Sequence, residues 1–170
     1  IIFLAFVGVV MIFSATSAME NKIFISHISK VFFGIAIMTF VSLIDVEFWK
    51  KYAFYLYLLV LFLLIWASFF GFIGKGSRRW ISFYGFNFQP SELMKVFLVV
   101  ALAKFFDEKK IQELKDYFFL ILPIVLILAP VGLIIIQPDL GTAMIILLLG
   151  LVVFFIAGLS WKLFASFGTI

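Results

Sequence analysis

Apolar residues in this chain come in long unbroken runs rather than in alternating patterns. Six runs stand out, at positions 1–18, 28–44, 52–73, 93–106, 117–136 and 140–159, with short polar segments between them. A helix needs about 20 apolar residues to cross the hydrocarbon of a bilayer. The pattern therefore predicts an all-α, polytopic transmembrane helix bundle with about six spans. The runs lack the strand-length alternation of a membrane β-barrel. The fourth run is short; counting from Pro90 lengthens it, which places its polar start at membrane depth or in a cavity.

Composition supports the same class. Of 170 residues, 66% are apolar and 13% charged, and the mean hydropathy is +1.28. An ordinary soluble domain is about half apolar and about a quarter charged. A soluble enzyme, a secreted disulfide scaffold and a disordered tail are all excluded. Cysteine is absent and His27 is the single histidine, so neither thiolate chemistry nor a histidine-built metal site is expected. His27 is read as part of a short outer loop. The net charge of +4 fits cytoplasmic anchoring and an anionic ligand rather than nucleic acid. The first residue is Ile1 and a run begins there without a polar leader. Residues 1–170 are accordingly read as one transmembrane domain, either part of a larger membrane protein or a shortened version of one.

Lysine and arginine set the direction of the spans. With the first span leading outward, inner loops hold Lys50, Lys51, Lys104, Lys109, Lys110, Lys115 and Lys162, and outer loops hold Lys22, Lys30, Lys75, Arg78 and Arg79. The bias is clear only when the outer loop with Lys75, Arg78 and Arg79 is set apart as an anomaly. That loop also carries four glycines, Gly71, Gly74, Gly76 and Gly85, and Trp80. The glycines argue against one long helix. A guanidinium offers a planar fork that grips phosphate at two points, and indole favours the membrane boundary. Arg78, Arg79 and Trp80 thus fit a lipid whose head bears phosphate. They fit an anchor to bulk headgroups equally well.

Two helix starts follow a shared form. Gln89-Pro90-Ser91-Glu92 leads to Lys95, and Gln137-Pro138-Asp139 leads to Gly141-Thr142. Proline suits a first helical position, and an acid in the first turn meets the positive end of the helix dipole. Glu92 and Lys95 are three apart and share a face. A lysine a turn inside an apolar helix should face the bundle and find a partner. The topology puts both starts and the arginine loop on the outer side, so Glu92, Lys95, Asp139, Arg78 and Arg79 are expected to converge on one outward cavity. Ordinary helix caps and a structural ion pair explain the same residues without a site.

At these segments the chain resembles the SEDS family (shape, elongation, division and sporulation), and its elongation branch more than its division branch. The stretches that carry the likeness are Gly76-Ser77-Arg78-Arg79-Trp80-Ile81, Phe88-Gln89-Pro90-Ser91-Glu92-Leu93-Met94-Lys95, Gln137-Pro138-Asp139-Leu140-Gly141-Thr142 and Gly158-Leu159-Ser160-Trp161-Lys162. The resemblance implies the first part of a roughly ten-helix peptidoglycan glycosyltransferase, multi-pass in the bacterial cytoplasmic membrane. Such a protein polymerises lipid II on the outer leaflet during elongation and cell-shape maintenance. It works with a class B penicillin-binding protein and the elongation machinery. The resemblance also implies that the favoured catalytic aspartate lies beyond Ile170, so no catalytic residue is assigned here and this portion alone should be inactive. It places Glu92, Lys95 and Asp139 at the cavity. The residue types leave open whether a divalent cation takes part. A flippase for a lipid-linked sugar and a non-catalytic membrane scaffold remain alternatives.

Overall fold

The computed structural model describes residues 2–16, 22–74, 77–83, 86–107 and 117–158. These form six helices and three short strands: α1 (Ile2–Thr16), α2 (Lys22–Ser42), α3 (Val46–Phe70), β1 (Phe72–Gly74), β2 (Ser77–Phe83), β3 (Phe86–Phe88), α4 (Pro90–Asp107), α5 (Tyr117–Ile136) and α6 (Leu140–Ile156). The protein is a helical bundle of membrane type. Phe24–Ser42, Val46–Phe70 and Phe119–Ile136 are long and apolar enough to cross a membrane, and Phe3–Ser14 and Leu140–Ile156 are shorter apolar helices. The second helix begins earlier than its apolar run. His27 therefore lies within α2 and not in a loop, because an N-terminal polar turn does not break a helix that its apolar remainder sustains.

The chain divides into two compact units, Ile1–Phe48 and Trp49–Ile170. In the first, α1 packs against α2, with Phe13 and Phe24 in ring contact at 5.2 Å. Ser29 and Thr39 donate to carbonyls four residues back, at 2.9 Å each. Apolar surroundings offer these hydroxyls no water, and the helix backbone satisfies them instead.

The second unit contains the core. Its α3 seam is Ala53, Tyr57, Val60, Leu64 and Ala67. The alternating three- and four-residue steps keep that seam on one helix face. Tyr57, Val60 and Leu64 of that seam share one buried cluster with Met94, Leu98 and Leu102 of α4, Leu126, Ile127 and Ile134 of α5, and Ala143 and Ile146 of α6. α5 and α6 approach closely at Gly150, where an added Cβ would come within 2.5 Å of Ile127. Small residues allow such approaches in membrane bundles. The opposite faces are apolar too: Phe62, Phe69, Phe70, Ile121 and Met144 are exposed. In water that surface would invite association; in a membrane bundle such faces meet lipid or further helices.

The segment between α3 and α4 departs from the all-helical expectation. It is a three-stranded antiparallel meander in the order β1-β2-β3. Phe83 pairs with Phe86, so two residues, Tyr84 and Gly85, separate β2 from β3; that spacing is a hairpin signal. Gly71 makes the tight exit from α3. Its N–H donates to Ala67 O at 2.9 Å, and a Cβ there would run into the Ala67 carbonyl and lie 3.1 Å from that of Trp80.

Candidate functional site

Four chain segments meet at one end of the second unit: the end of α3 with its meander, the start of α4, the end of α5 and the start of α6. The register of β1 against β2 pairs Ile73 with Arg78 and Phe72 with Trp80. Arg79 is the extra residue, a β-bulge. Bulges re-aim a side chain that a regular ladder would fix. The Arg79 guanidinium reaches Asp139, with Nη1 2.6 Å from Oδ2 and the two side chains 19% and 14% exposed.

Asp139 is the hub. Its Oδ2 also accepts from Gln89 Nε2 at 3.2 Å and from Thr142 Oγ1 at 2.9 Å, while Oδ1 accepts from the Thr142 N–H at 3.3 Å. The last bond makes Asp139 the N-cap of α6. The expectation of a first-turn acid is thereby corrected: the side chain takes a first-turn N–H, which requires a non-helical backbone at the cap. Burial pushes the Asp139 carboxyl up. Hydrogen bonds from Arg79 and Thr142, with the guanidinium charge, outweigh it and hold the group below its ordinary value of 3.8.

Gln137 holds the same turn from below. It is 5% exposed, and its Nε2 donates to Leu64 O at 3.0 Å and to Ser68 Oγ at 2.6 Å. The α5–α6 turn is thus tied to α3 two residues before Asp139. The partners of Gln89 and Gln137 were not foreseen. Their repeated placement before proline was the available signal, since a buried amide must find donors and acceptors.

Glu92 and Lys95 form a separate pair. Lys95 Nζ lies 2.8 Å from each carboxylate oxygen. The lysine is not deeply buried as expected: its side chain is 24% exposed and that of Glu92 58%. Both sit on the N-terminal half of α4, whose buried seam is Ser91, Met94 and Leu98. Trp80 is half-buried in β2. Arg78 lies in β2 opposite Ile73, and its side chain is outside the described residues, as are Lys75, Gly76 and the Ser160-Trp161-Lys162 stretch. The structure therefore brings Arg79 and Asp139 together, adds Gln89 and Gln137, and leaves Glu92 and Lys95 paired with each other. Among the described residues, the buried polar atoms Arg79 Nε and Ser91 Oγ have no protein partner. Among the described residues, no three His, Cys, Asp or Glu groups could hold a metal ion together.

The other end of the unit is simpler. Lys50 near the start of α3 meets Asp107 at the end of α4 at 3.0 Å, both exposed.

Comparison with known proteins decides the family. A family model described as cell cycle protein, covering FtsW, RodA and SpoVE, matches residues 1–170. The chain belongs to the FtsW/RodA/SpoVE family. It is similar to peptidoglycan glycosyltransferase MrdB of Escherichia coli strain K12, at 36% identity over 85% of this chain and 37% of the relative. It is also similar to the probable peptidoglycan glycosyltransferase FtsW of Geobacter sulfurreducens, at 37% identity over 89% of this chain and 43% of the relative. Its fold matches a chain from a structure describing how a peptidoglycan synthase complex coordinates polymerisation and crosslinking, with TM-score 0.83, 30% identity, and coverage of 99% and 50%. The Thermus thermophilus rod shape determining protein RodA gives TM-score 0.79 and 31% identity, with coverage of 95% and 54%. The chain spans less than half the length of these two curated family members and about half the length of the solved ones.

Proposed function

We propose that the protein to which this chain belongs is a peptidoglycan glycosyltransferase. It would polymerise lipid II on the outer leaflet of the bacterial cytoplasmic membrane during elongation. A class B penicillin-binding protein of the elongation machinery would be its partner. The observation that carries this reading is the Arg79–Asp139 hub, a partly buried ion pair at the loop end of a membrane bundle in a chain of this family.

The chemistry matches the parts. Glycosyl transfer from a lipid diphosphate needs a base at the acceptor hydroxyl and cationic support for the departing diphosphate. Asp139 engages Arg79 at Nη1. A guanidinium has five donors in a fixed fork, so others remain for a phosphate oxygen. Arg78, adjacent in β2, would add a second cation, and Trp80 would border the lipid. Asp139, ionised and capped onto α6, orients Arg79 and stands where an acceptor or a cation would be aligned. Glu92 and Lys95 would line the approach and set its field. The base is expected outside these residues.

The test uses purified full-length protein with lipid II in liposomes. Glycan polymer supports the proposal. Lipid movement across the bilayer without polymer would point to a flippase, and neither activity would point to a scaffold.

A further inference from the structure

Helix α5 carries two internal prolines, Pro123 and Pro130. Proline has no N–H, so the carbonyl four residues earlier loses its helical donor. For Pro130 that carbonyl belongs to Leu126, which is buried. In a bilayer no water can replace the missing bond, and an unmet backbone carbonyl there is costly. The Tyr57 hydroxyl of α3 donates to Leu126 O at 2.8 Å, and Tyr57 is itself 2% exposed. A side chain 69 positions away thus fills the vacancy created by a proline.

The consequence extends to the hub. A proline in a helix interior is a point of bending. Asp139 lies nine positions beyond Pro130, about 13 Å of chain at helical rise. A change of about 20° in bend at that point would move the far end by about 4 Å, more than the length of a hydrogen bond. On both sides of Pro130, this part of the chain is pinned to α3. Tyr57 holds it at Leu126, and Gln137 holds it at Leu64 and Ser68. Next to Leu126, Ile127 is seated against Gly150 of α6.

We infer that Tyr57 is a positioning residue: its hydroxyl stands in for the N–H that Pro130 lacks and so fixes the segment of α5 that delivers Asp139 to Arg79. The inference rests on the proposed role of that pair in glycosyl transfer.

The test is a double-mutant cycle in the full-length protein: Tyr57→Phe, Pro130→Ala and the two together. Thermal stability is read alongside lipid II polymerisation per folded molecule. Tyr57→Phe removes the donor and nothing else, and should slow polymerisation roughly tenfold and lower Tm, in line with the cost of an orphaned buried carbonyl. Pro130→Ala restores an N–H to the helix, so Tyr57→Phe with Pro130→Ala should recover most of both losses. A purely packing role for the ring would leave Tyr57→Phe at full rate. Full rate in that variant overturns the inference, as does a double variant no better than Tyr57→Phe alone. If Tyr57→Phe does not fold, a folded double variant still supports the substitution of donors, and a double variant that also fails to fold contradicts it. Wild-type protein that makes no polymer would overturn the proposed function while leaving the stability cycle to judge the clasp.

Discussion

The two Gln-Pro segments are nearly alike in sequence and quite unlike in structure. In Gln89-Pro90-Ser91-Glu92 the proline is the first residue of α4, and Glu92 stands in the first turn, exposed and paired with Lys95 on its own helix. In Gln137-Pro138-Asp139 the helix begins one residue beyond the acid. Asp139 is therefore a cap, largely buried, and held by groups from β2, the start of α4 and α6. Relative to its proline, α6 starts two positions later than α4 does, and that shift converts a local surface acid into a junction. The lesson is about connectivity. An i,i+3 pair reports only on its own helix, whereas a pair between β2 and α6 reports on how four segments meet at this end of the unit.

The comparison is broken most severely at Asp139. Asp139→Ala leaves the Arg79 guanidinium without its counterion in a site only 19% exposed. A loss of about 3 kcal/mol is expected, toward the lower end for broken buried pairs, measured by thermal unfolding of the full-length protein in detergent. Adding Arg79→Ala should restore part of it, because the stranded charge goes too. Next in size is Gln137→Ala, which removes two donated bonds from a buried site. About 1–2 kcal/mol is expected. Gln89→Ala should cost less, since the Asp139 carboxylate keeps its other donors.

Acid sharpens the contrast. The folded carboxyl of Asp139 lies below 3.8, so its contribution to stability is complete above that ordinary value and is lost as pH falls through the lower, folded one. The wild-type protein should therefore lose stability relative to Asp139→Ala only below about pH 4, checked by unfolding both at a series of pH values. Smallest is Glu92→Ala. Its partner is local and the carboxylate is 58% exposed, so a change of about 0.5 kcal/mol is expected, shrinking further in high salt. A loss as large as that of Asp139→Ala would erase the distinction between the two starts.

Much of this was legible in the sequence. The run over 117–136 matches α5 to the residue, because an apolar stretch bounded by polar residues has no other stable state in lipid. Convergence of Arg79 and Asp139 followed from counting spans and charges. The meander did not, because Phe72–Gly74 and Phe86–Phe88 are three residues each, too short for a period to declare itself. The bulge that singles out Arg79 from Arg78 is a matter of register, which only pairing with β1 defines. The depth of Lys95 was overestimated for a related reason. Its position along α4 was readable, but the helix face it occupies depends on which side meets α5 and α6. The Tyr57 clasp was invisible as a pair, although Pro130 announces that Leu126 needs a donor.

The proposed function requires Arg79 and Asp139 to act as one unit on the substrate diphosphate. It is tested most directly by the rate of lipid II polymerisation in full-length Arg79→Ala, Asp139→Ala and the double variant, normalised to folded protein. A loss of roughly tenfold or more is expected in each single variant, with no further loss in the double. Full activity in well-folded Arg79→Ala, or losses that multiply in the double, would contradict it.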